Sequence, residues 1–297
     1  MSGCPDLSRY VFGTTRMGDG AIPVESRVTT ALAAMEAGVW FHTSHQYGDA
    51  LTTLRMAFDQ KPDKVPSLIY KVGWSSVEEV EGQVRLQLSA LGKERMEIAQ
   101  LCPGGALAED IKAGGPGRDG LMKLKESGLV GGFVLEVFPW TSSTALEAIK
   151  SGSAEGFIDA VIFYLNPLQR FASNELRDLL TERQFPIIAM RTVCGGDLYS
   201  LAENAWAEYQ KPRAKAMIPL FEKSGIAKWS EFSARYSLGF PNVLSTVGAT
   251  SRVEGLTELL QSTSVTKPLD SGLVSEIQAL QMAWSDEVDM KAEPWTM

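Results

Sequence analysis

The chain has 297 residues, of which 44% are hydrophobic and 22% are charged, and its formal net charge is −8. This composition is typical of a globular protein with a large core. The acidic balance and the lack of a basic run argue against nucleic acid or an anionic membrane as a partner. Cys4, Cys102 and Cys194 are few and far apart, and no signal-like or membrane-spanning stretch is visible. We therefore expect a cytoplasmic protein without a disulfide framework.

Short β-rich runs alternate with helical patterns along the chain. The runs lie at 10–14, 39–42, 67–72, 97–102, 132–137, 160–163, 186–190 and 243–247. They are continuous apolar runs, which suit a parallel sheet that is covered on both faces. Helical patterns lie at 26–37, 77–91, 121–127, 144–150, 174–184, 227–238 and 253–260, and Ser76 with Glu79 forms a predicted capping box before the second of them.

Eight such strand–helix units predict a single (β/α)₈ TIM barrel domain that covers residues 1–297. The alternative is an open, doubly wound sheet. No Gly-x-Gly-x-x-Gly follows the first predicted strand, which weakens that alternative for a nucleotide-binding protein. In a barrel the active site lies at the carboxyl ends of the strands. Candidate residues at these ends include His42, Lys71, Cys102 and Glu136.

One segment suggests a family. Residues 41–48 read Phe-His-Thr-Ser-His-Gln-Tyr-Gly, which resembles the active-site turn of the aldo-keto reductases, Phe-Asp-Thr-Ala-x-x-Tyr-Gly. Further similar segments follow in the family's order at 12–18, 34–39, 70–73, 96–101, 121–130, 164–170, 195–198 and 246–251. Together they cover nearly the whole chain, so the sequence resembles a divergent aldo-keto reductase with a barrel of that type.

The resemblance implies an oxidoreductase that uses NADPH to reduce a carbonyl or imine in a small-molecule substrate, such as an intermediate of biosynthesis. The family's catalytic tetrad is Asp, Tyr, Lys and His, and the matching positions here are His42, Tyr47, Lys71 and Cys102. The tetrad is therefore degenerate, with two of four members kept. Tyr47 would be the proton donor, and the Lys71 cation would lower the pKa of its phenol.

The resemblance also marks a cofactor site whose nicotinamide end is altered. The family's Ser-Asn pair aligns with Glu136 and Val137, and its Gln aligns with Ile162; Val and Ile cannot hydrogen-bond a carboxamide. NADPH could therefore be absent or non-catalytic. The implied cofactor-binding residues are Asn166, Arg191, Gly196, Leu198, Gly248, Thr250, Ser251 and Arg252, the last two near a helix N-terminus that favours phosphate.

The departures from the tetrad leave several roles open. His42 is either a base or altered anchor, or a neutral hydrogen-bonded side chain; a neutral imidazole would let the pKa of Lys71 fall. Cys102 is either a nucleophile or a small buried filler. Glu136 is either an acid/base group or the ion-pair partner of Lys71 or Arg191.

His45 is interpreted as a wall of the substrate pocket. A zinc site from His42, His45 and Cys102 lacks a supporting fourth ligand or Cys-x-x-Cys, so no metal is predicted. Two other functions remain open. One is a non-redox enzyme that eliminates, isomerises or cyclises by proton transfer, with His42 or Glu136 as base. The other is a catalytically silent binding module. The segments 103–118 and 198–219, where substrate specificity is expected, show no recognisable pattern.

Overall fold

Eight parallel strands close into a barrel in the computed structural model, which describes residues 6–73, 75–205 and 207–285. The strands are β1 (Tyr10–Gly13), β2 (Trp40–Ser44), β3 (Leu68–Val72), β4 (Met96–Leu101), β5 (Val130–Glu136), β6 (Ile158–Asn166), β7 (Ile187–Met190) and β8 (Val243–Ala249). The last strand pairs with the first, from Tyr10 opposite Thr246 to Gly13 opposite Ala249. This pairing confirms the predicted barrel and excludes the open sheet.

The inside of the barrel is packed with apolar side chains rather than open. Val11, Ile69, Ile98, Val134 and Ile188 point inward from five strands, and each is 2% exposed or less. β-Branched side chains of this kind fill such barrels in layers. A ligand therefore cannot enter from below, and any site must lie above this layer, at the carboxyl ends of the strands.

Twelve helices surround the barrel within the described residues. They are α1 (Val24–Glu36), α2 (Ala50–Gln60), α3 (Val77–Leu91), α4 (Gly105–Ala113), α5 (Pro116–Glu126), α6 (Ser142–Ser151), α7 (Asn174–Glu182), α8 (Leu198–Asn204), α9 (Gln210–Lys223), α10 (Trp229–Ser237), α11 (Val253–Ser264) and α12 (Ser271–Ser285). None of them is long and apolar enough to cross a bilayer. The Ser76 hydroxyl accepts from the Glu79 amide at 3.2 Å, as the capping box predicts, but the Glu79 carboxylate accepts from Ser75 instead of Ser76.

Five of these helices were not predicted: α2, α4, α8, α9 and α12. The segment 103–118 contains α4, which ends at Gly114 in the left-handed conformation, and α5 begins two residues later with Pro116 in its first turn. The segment 198–219 contains α8 and most of α9, and α9 accommodates Pro219 in its interior. Glycine and proline usually interrupt helices, so their density here hid the helical periodicity.

The last helix contacts the loop that follows β6. The side-chain amide of Gln281 in α12 donates to the carbonyls of Asn166 and Pro167 at 2.9 and 3.0 Å. Its amide oxygen accepts from the Tyr236 hydroxyl at 2.7 Å. The loop itself turns back on β6 as a short antiparallel strand, Gln169–Arg170. Helix α12 thus helps to hold the backbone at one side of the barrel mouth.

Candidate active site

Tyr47 lies in the turn that leaves β2. Its amide donates to the Ser44 carbonyl at 3.2 Å, and its own carbonyl accepts from Ala50 at the start of α2 at 2.9 Å. Gly18 presses against this turn so closely that an added Cβ would lie 1.6 Å from the Tyr47 carbonyl oxygen. The side chain of Tyr47 is half-buried, and this burial raises the pKa of the phenol, while the Lys71 ammonium opposes the rise. The backbone therefore fixes Tyr47 beside a cation at the barrel mouth.

Lys71 and Glu136 form an ion pair at the carboxyl ends of β3 and β5. Lys71 Nζ lies 3.1 Å from Glu136 Oε2 and 3.2 Å from Oε1. The Glu136 side chain is 3% exposed and the Lys71 side chain is 21% exposed. The Cys102 thiol donates to the same carboxylate. Of the two partners that the sequence left open for Glu136, the structure selects Lys71.

The ion pair changes the expected electrostatics of the site. Burial lowers the pKa of Lys71, but the Glu136 carboxylate and, to a smaller extent, Cys102 and Tyr47 outweigh it, so the net shift is upward. The prediction that the pKa of Lys71 falls is therefore wrong, because an anion from β5 faces the lysine. Burial and the Glu136 carboxylate raise the pKa of Cys102 well above its usual value. Cys102 is thus a thiol at neutral pH, which argues against a nucleophilic role.

His42 is a neutral, hydrogen-bonded side chain. Its Nε2 lies 2.6 Å from Gln100 Oε1 and donates to it in the tautomer that is protonated at Nε2. Burial lowers the pKa of His42 to about 4, although the Gln100 hydrogen bond opposes this shift. Of the roles left open for His42, the structure favours the neutral one over the base. The sequence analysis did not predict Gln100 as a site residue. Its position two residues before Cys102 could have indicated it, because residues two apart on a strand lie on the same face.

His45 is half-buried in the same turn. Its Nδ1 is buried without a hydrogen-bond partner. Its backbone amide donates to Gln87 Oε1 at 3.1 Å, and Gln87 Nε2 donates to the Lys71 carbonyl at 3.0 Å. Gln87 thereby ties the Tyr47 turn to the strand that carries Lys71. Among the described residues, no group of three His, Cys, Asp or Glu side chains is arranged to hold a metal ion.

Tyr164 and Arg191 form a second part of the site that the sequence did not predict as a unit. The Arg191 guanidinium carbon lies 4.7 Å from the centroid of the Tyr164 ring. Burial raises the pKa of Tyr164, the Arg191 and Lys71 cations oppose the rise, and Glu136 adds to it. The phenol of Tyr164 is therefore within electrostatic reach of both Arg191 and the Lys71–Glu136 pair.

Asn166, a predicted cofactor-binding residue, is fully buried, and its cofactor role stays a prediction. Its Nδ2 donates to Gln169 Oε1 and to the Arg191 carbonyl, both at 3.0 Å. Its Oδ1 accepts from the Leu168 amide at 2.9 Å. The polar atoms of Asn166 are thus occupied within the protein, and the residue acts by holding the backbone of Arg191.

The loop after β8 provides the groups that would hold a cofactor phosphate. Gly248 to Arg252 lead into α11, whose N-cap, Arg252, makes no side-chain capping bond and is exposed. The Ser251 carbonyl is fixed by the Thr30 hydroxyl at 2.9 Å, and the Thr250 hydroxyl accepts from the Arg252 amide at 3.2 Å. The exposed Arg252 side chain and a helix start without a side-chain cap fit an anionic phosphate.

Three other positions contribute less to such a site. Gly248 is enclosed by other residues of the protein. Its carbonyl accepts from the Tyr10 hydroxyl at 2.7 Å, and an added Cβ would lie 3.0 Å from Thr192 Oγ1. Gly196 is half-buried, with no atom within 4 Å of an added Cβ. Leu198 is fully buried in the core. Only the backbone of Leu198 remains available to a cofactor, and the cofactor roles of all three stay predictions.

The nicotinamide end fits less well. Ile162 is fully buried inside the barrel, below Tyr164, and Val137 is 1% exposed and packs in the core between sheet and helices. Neither side chain can hydrogen-bond a carboxamide. Glu136 is already engaged by Lys71 and Cys102. The phosphate end is thus suited to a dinucleotide, whereas amide recognition is absent at both positions.

The barrel and the arrangement of its helices define an aldo-keto reductase fold. The aldo/keto reductase from Klebsiella pneumoniae in complex with NADP and acetate superimposes with a TM-score of 0.70 at 14% identity, over 92% of this chain and 91% of that one. The holo form of AKR11C1 from Bacillus halodurans gives 0.73 at 18%, over 94% of each chain. A thermostable aldo-keto reductase in complex with epalrestat gives 0.69 at 16%, over 92% and 95%. No family model and no curated protein sequence matches the chain.

Proposed function

We propose that this protein is an NADPH-dependent reductase that acts in the cytoplasm on the carbonyl or imine of a small molecule. The observation that carries the proposal is the half-buried phenol of Tyr47 beside the Lys71 ammonium, which Glu136 holds at 3.1 Å. The fold supports it, because two structural neighbours from Klebsiella pneumoniae are complexes with NADP and with NADPH. The uncapped start of α11 beside Arg252 is a suitable phosphate site.

Each residue has a defined task in this proposal. Tyr47 donates a proton to the carbonyl oxygen or imine nitrogen, and the positive charge of Lys71 stabilises the resulting phenolate. Glu136 keeps Lys71 in place and positively charged. The cofactor, when bound, supplies the hydride, and Thr250, Ser251 and Arg252 hold its phosphate.

The decisive experiment is a titration with NADPH followed by quenching of tryptophan fluorescence. Saturable binding below about 100 μM, within the usual range for cofactors, supports the proposal, and its absence overturns it. Arg252→Ala should weaken binding about ten-fold, the equivalent of one charged hydrogen bond. Arg183→Ala removes another exposed arginine, which lies before β7 and therefore at the opposite end of the barrel, and should leave binding unchanged.

The second assay tests Tyr47 directly. NADPH consumption is followed with a panel of aldehydes, oxo acids and cyclic imines. Tyr47→Phe should lower kcat by roughly 10²- to 10⁴-fold, the usual contribution of a positioned acid. The dissociation constant for NADPH should not change. An unaltered kcat would remove Tyr47 as proton donor and favour a silent binding module.

A non-redox proton-transfer enzyme is the second candidate, and one observation favours it. Val137 and Ile162 are both fully buried and apolar, so the two positions expected to bind the carboxamide provide no hydrogen bond. In that case Glu136 would serve as the base. Failure to bind NADPH, together with cofactor-free turnover that Glu136→Gln abolishes, would establish this function in place of the first.

A further inference from the structure

Arg191 has an unusual backbone conformation directly after β7. Its φ is 59°, in the left-handed region that side chains other than glycine rarely adopt. The Asn166 side chain donates to its carbonyl at 3.0 Å, and the Cys194 amide donates to the same carbonyl at 2.9 Å. Backbone strain of this kind is concentrated at functional sites. The fold therefore holds Arg191 in place at an energetic cost.

The charge of Arg191 has no carboxylate partner in the part of the chain that the structure describes. The residue is half-buried, its guanidinium lies over the ring of Tyr164 at 4.7 Å, and no Asp or Glu forms an ion pair with it. The nearby carboxylate of Glu136 is paired with Lys71. Buried charges are normally paired, so a partly desolvated guanidinium at a barrel mouth needs an anion from elsewhere.

Arg191 lies at the same end of the barrel as Tyr47, the proposed proton donor. Arg191 directly follows β7 and Tyr47 lies in the turn after β2, so both residues lie at the carboxyl-end mouth of the barrel. The pKa of Tyr164 responds to both Arg191 and Lys71, which agrees with this arrangement. Lys71 is paired with Glu136, whereas Arg191 has no carboxylate partner in the described part of the chain. Its positive charge attracts an anionic ligand locally, against the net charge of −8 of the chain.

An apolar surface continues from the same place. The rings of Phe138 and Trp140 are stacked 5.0 Å apart with an interplanar angle of 4°. The Phe138 ring meets the Tyr164 ring edge-on at 5.8 Å. A planar substituent can lie on this surface while an attached anionic group reaches Arg191.

We propose that Arg191, seated on Tyr164, binds the carboxylate of the substrate, and that the substrate is an oxo acid or imino acid with a planar apolar substituent. A guanidinium binds a carboxylate through two parallel hydrogen bonds, which would also orient the reacting carbon toward Tyr47. The identity of the reacting group rests on the proposed reductase function. The carboxylate subsite rests on the geometry of Arg191 alone.

The test is calorimetric binding without cofactor, with phenylpyruvate as the probe and its uncharged methyl ester as the reference. Arg191→Gly removes the charge and also relieves the left-handed backbone, so folding should be preserved. Gln184→Gly is the matched control, because Gln184 is also left-handed, with φ of 49°, but is exposed and lies before β7. We expect the wild type to bind the acid at least about ten-fold more tightly than the ester. Arg191→Gly should abolish this preference and Gln184→Gly should keep it.

Several results would overturn the carboxylate subsite. They are no binding of phenylpyruvate to the wild type up to about 10 mM, equal affinity for acid and ester, or an unchanged preference in Arg191→Gly. The same variants are titrated with NADPH to identify the source of the anion. If Arg191→Gly weakens NADPH binding and leaves phenylpyruvate binding unchanged, the anion is a cofactor phosphate. If NADPH does not bind but the Arg191-dependent preference persists, the reductase function fails and the carboxylate subsite stands.

Discussion

Lys71 and Glu136 come from strands that are not adjacent, yet Lys71 Nζ lies 3.1 Å from Glu136 Oε2. β4 lies between β3 and β5, and Cys102 at its end donates to the same carboxylate. Inward-facing side chains at neighbouring strand ends converge because the interior of an eight-stranded barrel is only wide enough for side chains to fill. One carboxylate therefore joins three strands and supplies the negative charge beside Lys71.

Glu136→Gln should destabilise the protein by about 2–3 kcal/mol. The substitution keeps the shape but leaves a buried lysine without its anion, and the loss is below the usual cost of breaking a buried pair because Lys71 is partly exposed. Urea unfolding measures the change. Glu81→Gln breaks the exposed Glu81–Arg85 pair and should cost less than about 1 kcal/mol. Equal losses in the two variants would show that the Lys71–Glu136 pair is not a special element of stability.

His42 should make the protein less stable in mild acid. Its pKa falls from 6.5 to about 4 on folding, because burial disfavours the imidazolium. The unfolded state therefore binds the proton first, and stability that is complete above pH 6.5 is lost as the pH falls toward 4. The loss amounts to about 3 kcal/mol. In His42→Gln this part of the pH dependence should be missing. The difference between the wild-type and variant unfolding free energies should therefore change by that amount between pH 6.5 and pH 4. Parallel curves would contradict the buried, neutral state of His42.

Cys102 should resist alkylation at neutral pH. The carboxylate of Glu136 and burial both keep its sulfur protonated, and only the thiolate reacts quickly. Iodoacetamide labelling followed by peptide mass spectrometry gives the rate. Cys194, which is buried and free, is the internal reference, whereas Cys4 lies outside the described residues. Glu136→Gln should accelerate labelling of Cys102 relative to Cys194. Rapid labelling of wild-type Cys102 at pH 7 would restore the nucleophile hypothesis.

Gly18→Ala should impair the site through the Tyr47 turn. The new methyl group would overlap the Tyr47 carbonyl, so the turn that presents the phenol must move. We expect kcat to fall by about ten-fold or more, as when a catalytic group is misplaced. Gly20→Ala is the matched control, because no atom lies within 4 Å of its added Cβ. Similar kinetics in both variants would show that the contact does not position Tyr47.

The barrel and the placement of Tyr47 and Lys71 at one mouth could be predicted, because strand order brings residues at strand ends together. The partner of Glu136 could not be predicted, because Lys71 and Arg191 both lie at the same end and only side-chain conformations distinguish them. Asn166 was assigned to the cofactor because its motif matches the family. The hydrogen bonds that bury it depend on the loop at Gln169 and on Arg191, which are not visible in a linear motif.

Helix α12 follows all eight barrel strands along the chain, and its Gln281 is bonded to the carbonyls of Asn166 and Pro167. Asn166 in turn holds Arg191. During synthesis the barrel strands are made before this helix, so the ligand-binding rim can reach its final geometry only after residue 281 has emerged. A nascent or truncated chain that ends before α12 should therefore contain a barrel in which the loop after β6 lacks the hydrogen bonds from Gln281, so that the position of Arg191 at the mouth is not yet fixed.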